Sequence, residues 1–284
     1  MRFQGFPSFF CLLCVFIITG CVTTPTPAER YDLAARQARS SGMSKVVIRA
    51  NGFNLVAYQR IASPGKPLNV YIEGDGLAWA SRRRLSSNPT PTDPLALRLA
   101  IQDPAENVVY LARPCQYIDV RERARCTQDH WSKKRFSEDV IKASDQAIDY
   151  VLSRSKGSAV HLIGYSGGGA VAVLVAARRG DVLSLRTVAG NLDIAAFTAH
   201  HKVTPLIGSL NPAAYAHRVA NIPQRHFVGS ADTIIPKLIV QSFMNHLPTQ
   251  RCANLTTRPD ATHSDGWTKN WPNFLVMSVS CVAR

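Results

Sequence analysis

The chain has 284 residues, of which 46% are hydrophobic and 18% charged, and its formal net charge is +14 at pH 7. The length is sufficient for one large domain with a substantial buried core. An excess of positive charge is compatible with nucleic-acid binding, but the chain has no aromatic-rich RNA motif and no helix-turn-helix signal, so we expect no nucleic-acid partner. Beyond residue 21 there is no run of about twenty apolar residues, which excludes a further membrane-spanning helix.

The first twenty residues have the pattern of an export signal. Arg2 precedes an apolar run at residues 9–18, which is too short to cross a bilayer as a helix. The run ends in Ile-Thr-Gly-Cys at residues 18–21, which resembles the lipobox of bacterial lipoproteins. The resemblance implies cleavage before Cys21, a lipid anchor on Cys21, and the cell envelope as the location. Because Val22 rather than aspartate follows, the outer membrane is favoured over the inner. The alternative is ordinary signal-peptide cleavage near residue 20, and in both cases the chain leaves the cytoplasm.

Basic residues cluster at 82–84, 121–125 and 133–135. For a protein tethered to a membrane, attraction to an anionic lipid surface is one interpretation of these clusters. A basic surface that is merely solvated is the other, and the sequence does not decide between them. It does not determine the oligomeric state either.

Residues 21–44 are predicted to form a polar tether and a short helix, which opens on the capping box Thr26–Glu29 and ends near Gly42. Residues 45–284 are predicted to form one domain. Asn51-Gly52 between two strand patterns indicates an N-terminal β-hairpin, and strand and helix patterns alternate from about residue 68. This order predicts an α/β fold with a mostly parallel central sheet and helices on both faces. The predicted strands are 68–72, 107–111, 160–163, 185–189, 224–228 and 253–257, and the predicted helices are 132–153, 170–179, 236–247 and 266–281.

The most informative motif is Gly-x-Ser-x-Gly at residues 164–168, which lies between a predicted strand and a predicted helix of small residues. In this context a sharp turn presents the serine hydroxyl, here that of Ser166, as a nucleophile. Such a hydroxyl attacks a carbonyl carbon, and the amide N–H of Gly167 would help to hold the developing oxyanion.

With this motif, residues 45–281 resemble the serine hydrolases of the α/β-hydrolase superfamily. The resemblance implies the chain order nucleophile, acid, histidine, which Ser166, Asp232 and His263 satisfy. Each of the three follows the end of a predicted strand, where reactive groups gather in a parallel sheet. Asp193, which follows the preceding strand, is the substitute for Asp232.

Gly74-Asp75-Gly76 occupies the position of the superfamily's oxyanion loop, so the backbone N–H of Asp75 is expected to be the second donor beside Gly167. Glu73 departs from the pattern, because many esterases and lipases have histidine there. Two carboxylates near a developing negative charge would disfavour it unless they are paired or turned away. We expect an arginine of the 82–84 cluster to neutralise them, and Glu73 to be a buried structural residue rather than a catalytic one.

The substrate pocket is expected to include Trp79 and Tyr165. Residues 191–223 lie where the superfamily inserts its cap, so a small cap insertion is expected here. The apolar residues of this segment either contact an acyl chain or belong to the core, since pockets and cores use the same residue types.

Four cysteines remain after Cys11, Cys14 and Cys21 are set aside. An even number in an oxidising compartment indicates disulfides, and four cysteines allow three pairings. We favour the pairs Cys115–Cys126 and Cys252–Cys281. A zinc site is the alternative, but neither a Cys-x-x-Cys pair nor a matching histidine spacing supports it.

Together these features predict an exported, lipid-anchored serine hydrolase that cleaves a small-molecule or lipid ester through an acyl-enzyme on Ser166, with no metal and no organic cofactor. A peptidase or a thioesterase with the same three residues is the nearest alternative. A non-catalytic envelope lipoprotein on a hydrolase scaffold is the alternative from another class.

Overall fold

A computed structural model describes residue 1 and residues 24–81, 83–123 and 125–282. The predicted export signal, Cys21 and Arg82 lie outside these residues. The strands are β1 (Ser44–Ala50), β2 (Phe53–Ile61), β3 (Leu68–Ile72), β4 (Trp79–Ser81), β5 (Arg84–Leu85), β6 (Asn107–Leu111), β7 (Val160–Tyr165), β8 (Val182–Val188), β9 (Gln224–Gly229) and β10 (Ala253–Arg258). The α-helices are α1 (Pro27–Ser40), α2 (Leu95–Ile101), α3 (Glu138–Arg154), α4 (Gly167–Ala176), α5 (Ile194–His201), α6 (Ala216–Val219), α7 (Lys237–Asn245) and α8 (Trp271–Leu275).

Eight strands form one sheet in the order β1-β2-β6-β3-β7-β8-β9-β10. The β1–β2 hairpin and the β2–β6 pair are antiparallel, and every other neighbouring pair is parallel. The register brings the strand ends to one edge, since Ile72 pairs with Gly164 and Val188 with Phe227. The predicted mostly parallel sheet and N-terminal hairpin are confirmed. The short β4–β5 hairpin stands apart from this sheet.

The sheet separates two hydrophobic cores, because successive side chains of a strand point to opposite faces. In β3, Val70 and Ile72 belong to the core that α3, α4 and α7 cover. Tyr71 belongs to the opposite core, which α1, α2 and α8 cover. Helices therefore lie on both faces, as predicted. The capping box of α1 is also present, with Thr26 and Glu29 each accepting a hydrogen bond from the other residue.

Three parts of the predicted helix pattern differ from the structure, and the first is that the helix predicted over 132–153 begins only at Glu138. Helix α2 was not predicted, because five of its seven residues are buried and so its sequence lacks the polar face that marks an amphipathic helix. The predicted helix 266–281 is wrong: a 3₁₀ turn at Thr268–Asn270 is followed by α8, which ends at Leu275. Val276 beyond it is 83% exposed, so its apolar side chain has no core to bury against.

The cysteines pair as favoured, since the sulfurs of Cys115 and Cys126 lie 2.10 Å apart and those of Cys252 and Cys281 lie 1.95 Å apart. Within the described ranges there is no cluster of three or more acidic, histidine or cysteine side chains that could hold a metal ion. In the same part of the chain, none of the helices combines the length and the hydropathy that crossing a membrane requires.

Candidate active site

Ser166 lies at a sharp turn between β7 and α4, at the carboxyl edge of the sheet. Its φ and ψ are 51° and −121°, a conformation that costs on the order of 1–3 kcal/mol for a residue with a side chain. The turn also requires glycine before it, because a Cβ at Gly164 would lie only 2.3 Å from the carbonyl oxygen of Gly168. Strain of this kind is typical of functional positions, and here it directs the serine hydroxyl out of the backbone.

The imidazole of His263 connects Ser166 to Asp232. Its Nε2 lies 3.0 Å from Ser166 Oγ, and its Nδ1 lies 3.0 Å from Asp232 Oδ2. The other oxygen of Asp232 accepts hydrogen bonds from the amides of Ile234 and Ile235 at 2.9 and 2.8 Å. With Nδ1 protonated, the ring donates to the carboxylate and leaves Nε2 free to accept the serine proton. The structure therefore brings the three predicted side chains together in the order that nucleophilic catalysis requires.

Asp193, the alternative candidate for the acid that orients the histidine, lies in an environment different from that of Asp232. Its Oδ1 accepts from the amides of Ala195 and Ala196, which makes it the N-cap of α5, and from the side chain of Asn211. Its Oδ2 accepts from the Ser242 hydroxyl at 2.7 Å. Burial alone would raise the pKa of Asp193, but these hydrogen bonds lower it overall. Asp193 therefore caps a helix.

The predicted oxyanion loop lies directly against the nucleophile turn. A Cβ at Gly167 would lie 2.1 Å from Oδ1 of Asp75, so the loop contacts the first residue of α4. The amide of Gly167 is in the first turn of the helix, where N–H groups have no intrahelical acceptor. Among the described residues, the amide of Asp75 donates to no other group either. Two N–H groups are thus free beside Ser166.

The carboxylate of Asp75 is held by two arginines that the sequence analysis missed. Arg113 Nη1 lies 3.2 Å from Oδ1 and Arg135 Nη1 lies 2.8 Å from Oδ2. The expectation that the 82–84 cluster would neutralise this group is therefore wrong for its described members, because Arg83 and Arg84 are exposed on the β4–β5 hairpin. One feature of the sequence could have indicated Arg135 as a partner of Asp75, because it belongs to the basic cluster 133–135.

Glu73 is fully buried, in agreement with the expected structural role. Its Oε1 accepts a hydrogen bond from the amide of Gly74 at 2.8 Å. Burial raises the pKa of Glu73 to about 7, and the hydrogen bond from Gly74 offsets only part of this effect. The group therefore holds a proton for much of the time at neutral pH, which reduces the negative charge near the oxyanion loop.

A cavity of about 530 Å³ opens over Ser166 and His263. Trp79 and Tyr165, which the sequence analysis expected in the substrate pocket, line this cavity; Trp79 is 47% exposed, and the Tyr165 ring lies 5.3 Å from that of His263. Much of the cavity lining is apolar. Its larger apolar side chains, together called the apolar wall, are Leu77, Trp79, Leu95, Phe197, Ile234 and Ile235.

Residues 191–223, where a cap insertion is predicted, contribute little to this cavity. Asn191 and Phe197 are its members that line the wall. Leu206, Leu210 and Tyr215 instead pack against the hydrophobic core. The apolar residues of this segment are therefore mainly core residues.

A comparison with protein-family models matches residues 97–262 to the family described as "Serine hydrolase (FSH1)". The match includes Ser166 and Asp232 and ends one residue before His263. No curated protein sequence matches the chain.

Solved structures resemble this fold at low sequence identity. Est1E from Butyrivibrio proteoclasticus is 14% identical with a TM-score of 0.56, over 82% of this chain and 97% of its own. An alpha-beta serine hydrolase homologue from Coxiella burnetii is 14% identical with a TM-score of 0.59, over 84% and 97%. A membrane phospholipase A, described as a bacterial virulence factor, is 13% identical with a TM-score of 0.59, over 88% and 91%. These similarities show the predicted α/β-hydrolase fold.

Proposed function

The chain belongs to the serine hydrolase (FSH1) family, and we propose that this enzyme cleaves carboxylic esters through an acyl-enzyme formed on Ser166. The observation that carries the proposal is the chain of hydrogen bonds that connects Ser166 through His263 to Asp232. Ser166 itself lies on a strained turn. A serine hydroxyl is a weak nucleophile until a neighbouring base accepts its proton, and His263 Nε2 lies within reach of that proton.

In the first half of the reaction, Ser166 Oγ attacks the ester carbonyl while its proton moves to His263 Nε2. The imidazolium that forms is stabilised by the carboxylate of Asp232, which also fixes the ring orientation. The carbonyl oxygen becomes negatively charged and is held by the amides of Gly167 and Asp75. Collapse of the tetrahedral intermediate breaks the bond to the alcohol oxygen, which takes the proton from Nε2 and leaves.

In the second half, water repeats the same steps on the acyl-enzyme. His263 accepts a proton from the water as its oxygen attacks the acyl carbon. The bond to Ser166 Oγ then breaks, the proton returns to Oγ, and a carboxylic acid leaves. Each proton has an acceptor among the residues already named, so the cycle needs no further group.

The cavity supports an ester with an apolar acyl part. Its apolar wall lines the same cavity as the nucleophile, and two of its members, Trp79 and Ile234, are about half exposed. One of the similar folds is that of a membrane phospholipase A. Together with the lipobox resemblance at Cys21, this supports a lipid ester as substrate and an envelope membrane as the place of action.

The test is covalent labelling of the full chain with a fluorophosphonate probe, followed by hydrolysis of p-nitrophenyl hexanoate. Wild-type protein should be labelled and active, and Ser166→Ala should be neither. The matched control is Ser184→Ala, because Ser184 Oγ also lies 2.7 Å from a histidine nitrogen, that of His161, but stands inside a strand rather than on a strained turn. This variant should remain labelled.

An unlabelled wild-type protein with an intact circular-dichroism spectrum would contradict the proposal and favour a non-catalytic scaffold. Hydrolysis of hexanoyl p-nitroanilide faster than that of the ester would favour a peptidase. Labelling that persists in Ser166→Ala would show that another residue is the nucleophile.

A further inference from the structure

The charges around Asp75 do not cancel. One carboxylate is shared by two guanidinium groups, those of Arg113 and Arg135. Both arginines are largely buried, so the remaining positive charge is only weakly screened by solvent. A group of this kind, one member of which lines the same cavity as the nucleophile, is suited to a negatively charged partner.

The other acids that line the cavity do not supply this partner. Asp93 forms an ion pair with Arg98 at 2.7 Å. Glu73 is directed to the amide of Gly74, and burial raises its pKa to about 7. At neutral pH Asp93 is therefore already paired with Arg98, and Glu73, which is partly protonated, offsets only part of the charge of the two arginines.

Of the two arginines, Arg135 reaches the cavity over Ser166, and Arg113 lies behind Asp75 beside a separate, much smaller cavity. The side chain of Arg135 is 12% exposed, and its Nη1 donates to Asp75. Its Nε is buried and has no hydrogen-bond partner within the described part of the chain. A guanidinium has five N–H donors in a planar fork, so Arg135 retains donors that Asp75 does not use.

A second polar group of the same cavity is incompletely paired. Asn191 is 3% exposed and lines the wall, yet its Oδ1 has no hydrogen-bond partner among the described residues. Buried polar groups in native proteins are nearly always hydrogen-bonded, so the unpaired Oδ1 of Asn191 leaves an acceptor that a bound group could pair. The cavity thus combines apolar side chains with Arg135 and Asn191, each of which has one atom without a hydrogen-bond partner among the described residues; Oε2 of Glu73 is a third such atom.

Building on the proposed ester hydrolysis, we propose that Arg135 is the specificity-determining residue of this enzyme and binds an anionic oxygen group, a carboxylate or a phosphate, carried by the ester substrate. Asn191 hydrogen-bonds the polar part of the same substrate, and the apolar wall contacts its hydrocarbon part. The anionic group belongs either to the acyl part or to the alcohol part of the ester, and matched substrates separate the two.

The experiment compares kcat/KM for two pairs of substrates in which one member carries an anionic group that the other lacks. For the acyl part, the pair is p-nitrophenyl hexanoate and mono-p-nitrophenyl adipate, in which a carboxylate replaces the terminal methyl group. For the alcohol part, the pair is 1,2-dihexanoylglycerol and dihexanoyl phosphatidic acid. Wild-type enzyme should prefer the charged member of one pair, and the pair that shows the preference identifies the source of the anion.

Arg135→Gln should lower that preference about 10- to 100-fold, as expected for the loss of a charge-assisted hydrogen bond. Arg113→Gln is the matched control, because Arg113 is the other partner of Asp75 but does not line the cavity over Ser166. It should slow the charged and neutral esters alike and leave their ratio unchanged. This comparison separates binding of the anion from a general disturbance of the oxyanion loop.

Arg135→Lys is the second variant, in case the glutamine variant does not fold. It keeps the positive charge beside Asp75 but loses the planar fork, so the KM for the charged ester should rise while the neutral ester is little affected. A wild-type enzyme without preference in either pair would overturn the inference. The inference would also be overturned if the Arg135 variants kept the wild-type ratio of kcat/KM for charged and neutral esters, or if Arg113→Gln lost that preference to the same extent. Each of these outcomes leaves ester hydrolysis standing, whereas absence of both labelling and hydrolysis would refute the proposed function itself.

Discussion

Replacement of Gly167 by alanine is the most direct test of the oxyanion site. The added Cβ would lie 2.1 Å from Oδ1 of Asp75 and 2.6 Å from its Cγ, whereas ordinary contacts begin at 3.4 Å. The carboxylate cannot turn aside freely, because Arg113 and Arg135 hold its two oxygens. Gly167 does not have a left-handed φ, and alanine is a better helix former than glycine by about 1 kcal/mol. The only unfavourable effect of the substitution is therefore the clash with the oxyanion loop.

The size of the effect follows from how far the loop must move. Relief of the clash requires a displacement of about 1 Å, and errors of that size in a catalytic group cost about 100-fold in rate. If the Asp75 amide is lost as a donor, the cost is about 100- to 1000-fold in kcat, or about 3–4 kcal/mol of transition-state stabilisation. We therefore expect kcat of Gly167→Ala to fall by about 100- to 1000-fold, with a smaller change in KM.

The assay is steady-state hydrolysis of p-nitrophenyl hexanoate, with thermal unfolding measured on the same samples. Gly180→Ala is the matched control, since a Cβ there meets nothing within 4 Å. This control should retain the wild-type kcat. A folded Gly167→Ala variant whose kcat stays within about threefold of wild type would refute the placement of Asp75 in the oxyanion site.

Two further predictions concern the buried acid and the membrane anchor. Burial raises the pKa of Glu73 from its ordinary value of 4.5 to about 7, so the folded protein retains a proton that the unfolded chain releases, and wild-type stability falls as the pH rises through this window. The free energy of unfolding of Glu73→Gln minus that of wild type should therefore grow by about 3 kcal/mol between pH 4 and pH 8 in urea titrations, and an unchanged difference would contradict the burial argument. Cys21→Ser should move the protein from the membrane fraction to the soluble envelope fraction of a host that processes lipoproteins, and a wild-type protein found in the soluble fraction would contradict the anchor.

The positions of Ser166, Asp232 and His263 could be predicted because they depend on the sheet alone. Each follows a strand of the parallel part, and parallel strands end at the same edge. Strand patterns of buried apolar residues are visible in the sequence, so the convergence of three distant side chains follows from strand positions and chain order. The assignment of the Asp75 amide to the oxyanion site came from the superfamily resemblance, and in the structure the carboxylate of Asp75 lies against Gly167.

The partners of Asp75 could not be predicted in this way. Arg113 and Arg135 lie at the two ends of the irregular segment between β6 and α3, and the helix predicted from residue 132 begins only at Glu138, beyond Arg135. The sequence analysis expected the basic cluster 82–84 to neutralise Asp75, because this cluster lies closer along the chain. The described part of that cluster is exposed. Helix α8 ends early for a related reason, since the apolar character of Val276 does not reveal that no core lies beside it.

The segment between β6 and α3 determines the electrostatics of the oxyanion site through contacts of its own. Gln116 donates to the carbonyl oxygen of Gly74 at 3.0 Å and accepts from the amide of Arg113 at 3.1 Å. Arg113 in turn donates to the carbonyl oxygen of Arg135, and the Cys115–Cys126 disulfide closes the loop between the two arginines. Both the backbone and the carboxylate of the oxyanion loop are thus held by a cross-linked segment outside the sheet. The nucleophile turn is positioned by the sheet, whereas the charges beside the oxyanion loop depend on this segment.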